Sequence, residues 1–204
     1  MDGIRAVIFD LDNTLIDRDG ALASWLRALI PPERLPALLR LDASGYGERD
    51  PFFAQVAIAS GLSDTLVRTR FQREFPEHMR LLPGAGDLLE RLAPRYRLAL
   101  ATNGQAAMQR AKIRAVGIAA WFQVIAISQE VGSAKPARAF FLHLLDALGC
   151  EPAAALMVGD HPANDIVGAA ACGLRTCWLR TAGYQQPVQA DWVIEGLSDL
   201  PLPS

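Results

Sequence analysis

The chain has 204 residues, of which 51% are apolar and 21% charged, with 20 basic against 22 acidic side chains and a formal net charge of -2. This profile excludes disordered, fibrous and collagen-like classes, and the length suits one core of about 100–150 residues with a smaller appendage. A pI of about 5.9 with scattered arginines argues against a nucleic-acid partner, and no apolar run reaches the roughly 18 residues of a membrane span.

The first apolar run, residues 6–9, reads as a buried strand. It follows the N-terminus directly, without the charged and apolar regions of a signal peptide, so a cytoplasmic protein is expected. Asp10-Leu11-Asp12-Asn13-Thr14 comes next. From about residue 17 to residue 81 no strand pattern occurs; helical patterns cover residues 21–30, 33–41, 51–60 and 63–75. Within this stretch Trp25, Phe52, Phe53 and Phe71 sit where helices pack. Arg18 at the hinge, Tyr46 between Gly45 and Gly47, and Arg49 are candidates to face a substrate. Leu82-Pro83-Gly84 marks the return to alternating elements.

Helix and strand patterns then alternate: helix 84–92, strand 98–101, helix 105–116, strand 124–127, helix 136–148, strand 156–158, helix 163–172 and strand 176–179. Proline at a helix start and glycine past its end punctuate the series. Short buried strands alternating with helices predict an α/β fold, a Rossmann-like, doubly wound, mostly parallel sheet. Residues 1–16 and 82–204 would form this core, with residues 17–81 inserted as a helical cap. Cys150, Cys172 and Cys177 are odd in number and have neither disulfide-framework nor zinc-site spacing, so free thiols are expected.

Open α/β sheets bind ligands beyond the carboxyl ends of their strands. Those ends here carry Asp10 and Asp12, Thr102-Asn103-Gly104, Ser128 leading to Lys135-Pro136, and Gly159-Asp160 with Asn164-Asp165. Asp10 and Asp12 point to the same side of an extended chain and need a counterion. Mg²⁺ satisfies such a pair, with Asp160 as a further ligand. Asp10 can then attack phosphorus to give an aspartyl-phosphate, Lys135 can neutralise the developing charge, and Thr102 and Asn103 can donate to phosphoryl oxygens. Each motif also has a plainer reading: Asn103 as a helix N-cap, Lys135 as a solvated residue before a proline, Asp165 as a first-turn acid. His161 is open both to a contact with the leaving group and to an ordinary loop role.

The ordered set of four motifs, ending in Gly159-Asp160-His161-Pro162-Ala163-Asn164-Asp165, resembles the haloacid dehalogenase superfamily. The resemblance implies a cap between the first two motifs and Mg²⁺ held by Asp10, the Asp12 carbonyl and Asp160. It also implies that Asp165 supports the metal's water shell or Lys135, and that Asp12 is general acid and then general base. Dehalogenase members lack the second aspartate, and a halide leaving group needs no proton whereas an alkoxide does. The expected activity is therefore Mg²⁺-dependent hydrolysis of a phosphate monoester of a small metabolite, with the cap closing during transfer. The rival is a phosphomutase that returns the phosphoryl group to its substrate; a dehalogenase and a catalytically silent binding protein are further alternatives.

Overall fold

The computed structural model describes residues 3–181, 183–184 and 188–201. In chain order it runs β1 (Ala6–Phe9), α1 (Arg18–Arg27), α2 (Leu35–Asp42), α3 (Arg49–Ser60), α4 (Asp64–Glu74), α5 (Ala85–Leu92), β2 (Arg97–Thr102), α6 (Ala106–Val116), β3 (Val124–Ile127), α7 (Ser128–Val131), α8 (Arg138–Leu148), β4 (Ala155–Gly159), α9 (Gly168–Ala170), β5 (Arg175–Leu179) and β6 (Trp192–Ile194), with single-turn segments between them. A π-helical stretch, Pro162–Val167, leads into α9. Packing divides the chain into two units, Met1–Ile16 with Leu81–Ser204, and Asp17–Arg80.

The first unit is built on a six-stranded sheet in the order β3-β2-β1-β4-β5-β6, every pair parallel. This is a Rossmann-like α/β architecture. The chain steps outward from β1 to β3 and then returns to lay β4 against the other side of β1, so the strand order reverses between these two. Such a reversal opens a crevice at the carboxyl ends of the strands. β1 and β4 are fully buried because helices cover both sheet faces. The edge strand β6 has no counterpart among the predicted strands; it is three residues long and half exposed, too short to show a period.

Helix α8 supplies one covering layer with Phe140, Phe141, Leu144, Leu145 and Leu148, a stripe at helical spacing. Opposite it the strands present Ala6, Ile8, Ala99, Ala101 and Met157, alternate residues of three strands. The alanines leave room for two phenylalanine rings, which meet edge to face at 6.0 Å. Burying each large side chain is worth about 1.5–3 kcal/mol as an upper estimate. Gly149 ends α8 at a φ of 57°, and Arg97 at the start of β2 donates to the Leu148 and Gly149 carbonyls there.

The second unit is all helical. The Asp17 side chain accepts from Gly20 N–H at 2.9 Å to start α1, and Ser63 Oγ accepts from Leu66 N–H at 3.3 Å to start α4. Its core is the expected aromatic group: Trp25, Phe52, Phe53 and Phe71 are buried, with Phe75 stacked on Phe71 at 4.5 Å. Its two ends meet, since Asp17 N–H donates to Arg80 O at 2.9 Å. In the first unit Ile16 bridges Leu81 antiparallel, and Leu82 N–H donates to Leu15 O at 2.9 Å. Among the described residues no helix is long and apolar enough to cross a membrane. The three cysteines are free thiols.

Candidate active site

Asp10 prolongs β1 by one residue, its N–H donating to Val158 O of β4 at 2.9 Å. Beyond it the chain folds back, with Leu15 and Ile16 N–H groups both donating to Leu11 O at 3.0 and 3.1 Å. Asn13 makes the turn at a φ of 59°, a left-handed conformation that asparagine tolerates better than most side chains.

Lys135 is the hub. Its ammonium donates to Asp10 Oδ1 at 2.6 Å, Asp165 Oδ1 at 2.7 Å and Ala101 O at 2.7 Å, which uses all three of its donors. Burial by itself would lower the Lys135 pKa, but the charges of Asp10 and Asp165 outweigh it and hold the group above its ordinary value. The second oxygen of Asp165 accepts from His161 N–H at 3.0 Å, so this aspartate ties the loop after β4 to Lys135. Gly159 makes room for it: a Cβ there would lie 2.3 Å from Asp165 Oδ2.

Asp160 is fixed from two sides. Its N–H donates to Thr14 Oγ1 at 3.1 Å and its carbonyl accepts from Trp178 Nε1 at 2.8 Å. Carboxylate oxygens of Asp10, Asp160 and Asp165 lie within 4.8 Å of one another, all three residues buried. Among the described residues, the Lys135 ammonium bonds two of this trio, Asp10 and Asp165. Burial raises the pKa of Asp10, Lys135 pulls it back, and Asp165 and Asp12 push it up further. Burial likewise raises that of Asp160, followed by the charges of Asp10 and Asp165. The site is therefore short of positive charge, and its donor set is the hard carboxylate oxygen that suits a divalent cation such as Mg²⁺.

A family model, haloacid dehalogenase-like hydrolase, matches residues 4–173. The chain belongs to this family. N-acylneuraminate-9-phosphatase of Rattus norvegicus is 30% identical over 88% of this chain and 84% of its own. Phosphoserine phosphatase of Thermus thermophilus is 35% identical over 76% of this chain and 64% of its own. Pyrimidine 5'-nucleotidase YjjG of Escherichia coli is 35% identical, but the match spans only 58% of this chain and 54% of that protein. Among solved structures, Bacillus subtilis YfnB bound to magnesium superposes with a TM-score of 0.81 at 25% identity, covering 97% of this chain and 96% of that one.

Other predicted site residues of this haloacid dehalogenase-like hydrolase make contacts within the protein. Asn103, expected at the phosphoryl oxygens, donates from Nδ2 to Lys135 O at 2.8 Å, and its Oδ1 accepts from Lys135 N–H at 2.9 Å. Thr102 is buried and its hydroxyl accepts from Gln109 Nε2, so it faces helix α6. The Asp12 carboxylate is gripped by Lys112 Nζ at 2.7 and 2.9 Å and by Gln109 Nε2 at 2.8 Å. Neither α6 residue was picked out from sequence, although two polar side chains one turn apart on the buried face of a helix are a readable signal. Thr14 and Trp178, which hold Asp160, were also not assigned roles. His161 Nδ1 accepts from Asn164 N–H at 3.2 Å, and its ring lies 4.8 Å from that of Tyr184. Burial lowers its pKa, against the opposing charge of Asp165.

In the helical unit, the hinge candidate Arg18 is buried. Its guanidinium grips Asp42 with two donors, one of them at 2.9 Å, and Arg49 Nη1 joins at 2.7 Å. Burial alone would raise the Asp42 pKa, but hydrogen bonds and charge from the two arginines bring it below its ordinary value. Arg49 also lies over the Phe52 ring at 4.5 Å. Tyr46 alone of the three candidates is well exposed, at 56%.

Proposed function

We propose that this hydrolase is a Mg²⁺-dependent phosphatase that cleaves a phosphate monoester of a small soluble metabolite through a phosphoaspartate on Asp10. The observation that carries this reading is the Lys135 ammonium, bonded at once to Asp10 and Asp165 beside the buried carboxylate of Asp160. A nucleophilic carboxylate fixed by an ammonium, next to unneutralised acid groups, fits attack on an anionic phosphorus centre. The named activities of the relatives, an N-acylneuraminate-9-phosphatase, a phosphoserine phosphatase and a pyrimidine 5'-nucleotidase, support the same class.

Asp10, Asp160 and the Asp12 carbonyl are the groups that would hold Mg²⁺, with Asp165 committed to Lys135 and the His161 amide. Bound there, the cation would offset carboxylate charge and draw in the phosphoryl oxygens. In the first transfer an Asp10 oxygen forms a bond to phosphorus as the ester P–O bond breaks, and the proton of Asp12 passes to the departing oxygen. In the second, water attacks the same phosphorus, Asp12 takes the water's proton, and the Asp10–phosphorus bond breaks to release inorganic phosphate. Lys135 keeps Asp10 aimed throughout.

A panel of phosphate esters assayed with Mg²⁺ and with chelator, together with acid-quench trapping of the phosphoenzyme, tests the proposal. Wild-type protein should release phosphate only with the metal, and Asp10→Asn should form no phosphoenzyme. Unaltered turnover by Asp10→Asn, or no Mg²⁺-dependent release from any ester, would sink it.

A further inference from the structure

Gln109 and Lys112 are only 2% and 4% exposed, on the face of α6 where an amphipathic helix carries apolar side chains. A buried ammonium is costly unless paired, and α6 itself contains no acid. The partner comes from far along the sequence: Lys112 Nζ reaches both oxygens of Asp12, and Gln109 Nε2 reaches Oδ2. Gln109 also donates to Thr102 Oγ1, so one helix face joins the loop after β1 to the end of β2. Packing alone would be met at lower cost by two apolar side chains of similar volume.

We propose that Lys112, assisted by Gln109, is a positioning residue for Asp12. The inference rests on the phosphatase reading above. Asp12 lies in an irregular loop with its side chain 23% exposed, and a loose carboxylate there would lose orientation to rotamer freedom. Proton exchange with the ester oxygen and with water needs heavy atoms within about 2.6–3.2 Å, so a preset orientation removes that search from each turnover. Lys112 exchanges no proton; with Gln109 it takes three of the four lone-pair sites of Asp12 and leaves one for the proton that Asp12 passes on.

The test compares kcat/KM for an alkyl phosphate, whose alkoxide must be protonated, with p-nitrophenyl phosphate, whose phenolate departs without a proton. With Lys112→Met the alkyl value should fall about 10²-fold, and the aryl value should fall by a factor several times smaller. Gln109→Met should show the same selectivity with a smaller loss, and it decides the matter if Lys112→Met does not fold. Equal losses on both esters, or no loss, in a variant that folds would overturn the inference while leaving the phosphatase reading intact. Wild-type protein inactive on both esters, and on every other ester tried, would remove the phosphatase reading and this inference with it.

Discussion

Asn103 and Lys135 hold each other by two hydrogen bonds running in opposite directions, at 2.8 and 2.9 Å. The side chain of one is bound to the backbone of the other, so the residue after β2 sets where the loop after β3 delivers its ammonium. Asn103→Ala leaves both Lys135 backbone groups short of a partner, which should cost about 1–3 kcal/mol of stability. The accompanying shift of the ammonium should lower turnover by about 10²-fold if it reaches about 1 Å. Urea titration and kcat on the same ester measure the two effects separately.

Gly159→Ala should disturb the site from below. The new methyl would meet Asp165 Oδ2 at 2.3 Å and its Cγ at 2.4 Å, so either β4 or the Asp165 side chain must move. Overpacking of this kind costs about 1–3 kcal/mol, and here it should also reduce activity because Asp165 anchors Lys135. Gly86→Ala is the matched control: its methyl meets only Leu81 Cδ1 at 3.7 Å, within α5. Thermal midpoints and kcat of the two variants should part company; equal behaviour would mean that the close approach at Gly159 is relieved cheaply.

Burial raises the carboxyl pKa of Asp10 and Asp160 above their ordinary value of 3.8 in the folded chain. The folded protein therefore retains protons that the unfolded chain gives up from 3.8 upward. Their contribution to stability is complete below that pH and is lost as pH rises through the raised folded values. Metal-free protein should show a falling thermal midpoint from mildly acidic to mildly alkaline buffer. Added Mg²⁺ should lift the midpoint most at the alkaline end, where the carboxylates are ionised and uncompensated. Asp160→Asn should flatten the metal-free decline. A Mg²⁺ effect of equal size at both ends would contradict this.

Asp42→Leu should destabilise the chain by up to about 3–5 kcal/mol, because it takes a buried carboxylate from both Arg18 and Arg49 and leaves the buried Arg18 guanidinium with Asp19 at 3.0 Å. Adding Arg18→Met to it should return a large part of that loss, a coupling that a double-mutant cycle in chemical denaturation reads directly. Neither change removes a group proposed to touch the reacting phosphoryl.

The strands that build the site were legible because each is a short apolar run stopped by polar residues, a pattern that survives without tertiary information. The positions of Asp10, Lys135, Asp160 and Asp165 followed from it. What stayed hidden were partnerships across long stretches of sequence. Lys112 resembles any helix-surface lysine until α6 is laid against the loop that holds Asp12, and Arg18 resembles a hinge cation until Asp42 is folded beside it. Asn103 shows the same limit in another form: its residue type suits a phosphate, a helix cap or a backbone clamp equally well, and only the fold selects among them. β6 was missed for a different reason, since a three-residue strand held mainly by its ladder carries too little pattern to be read.

The first and last residues of the helical unit, Asp17 and Arg80, are joined by a hydrogen bond at 2.9 Å. The whole excursion therefore begins and ends at paired backbone, with Ile16 bridging Leu81 beside it. Because the excursion closes on itself, its length can change with little entropic burden on the strands it interrupts.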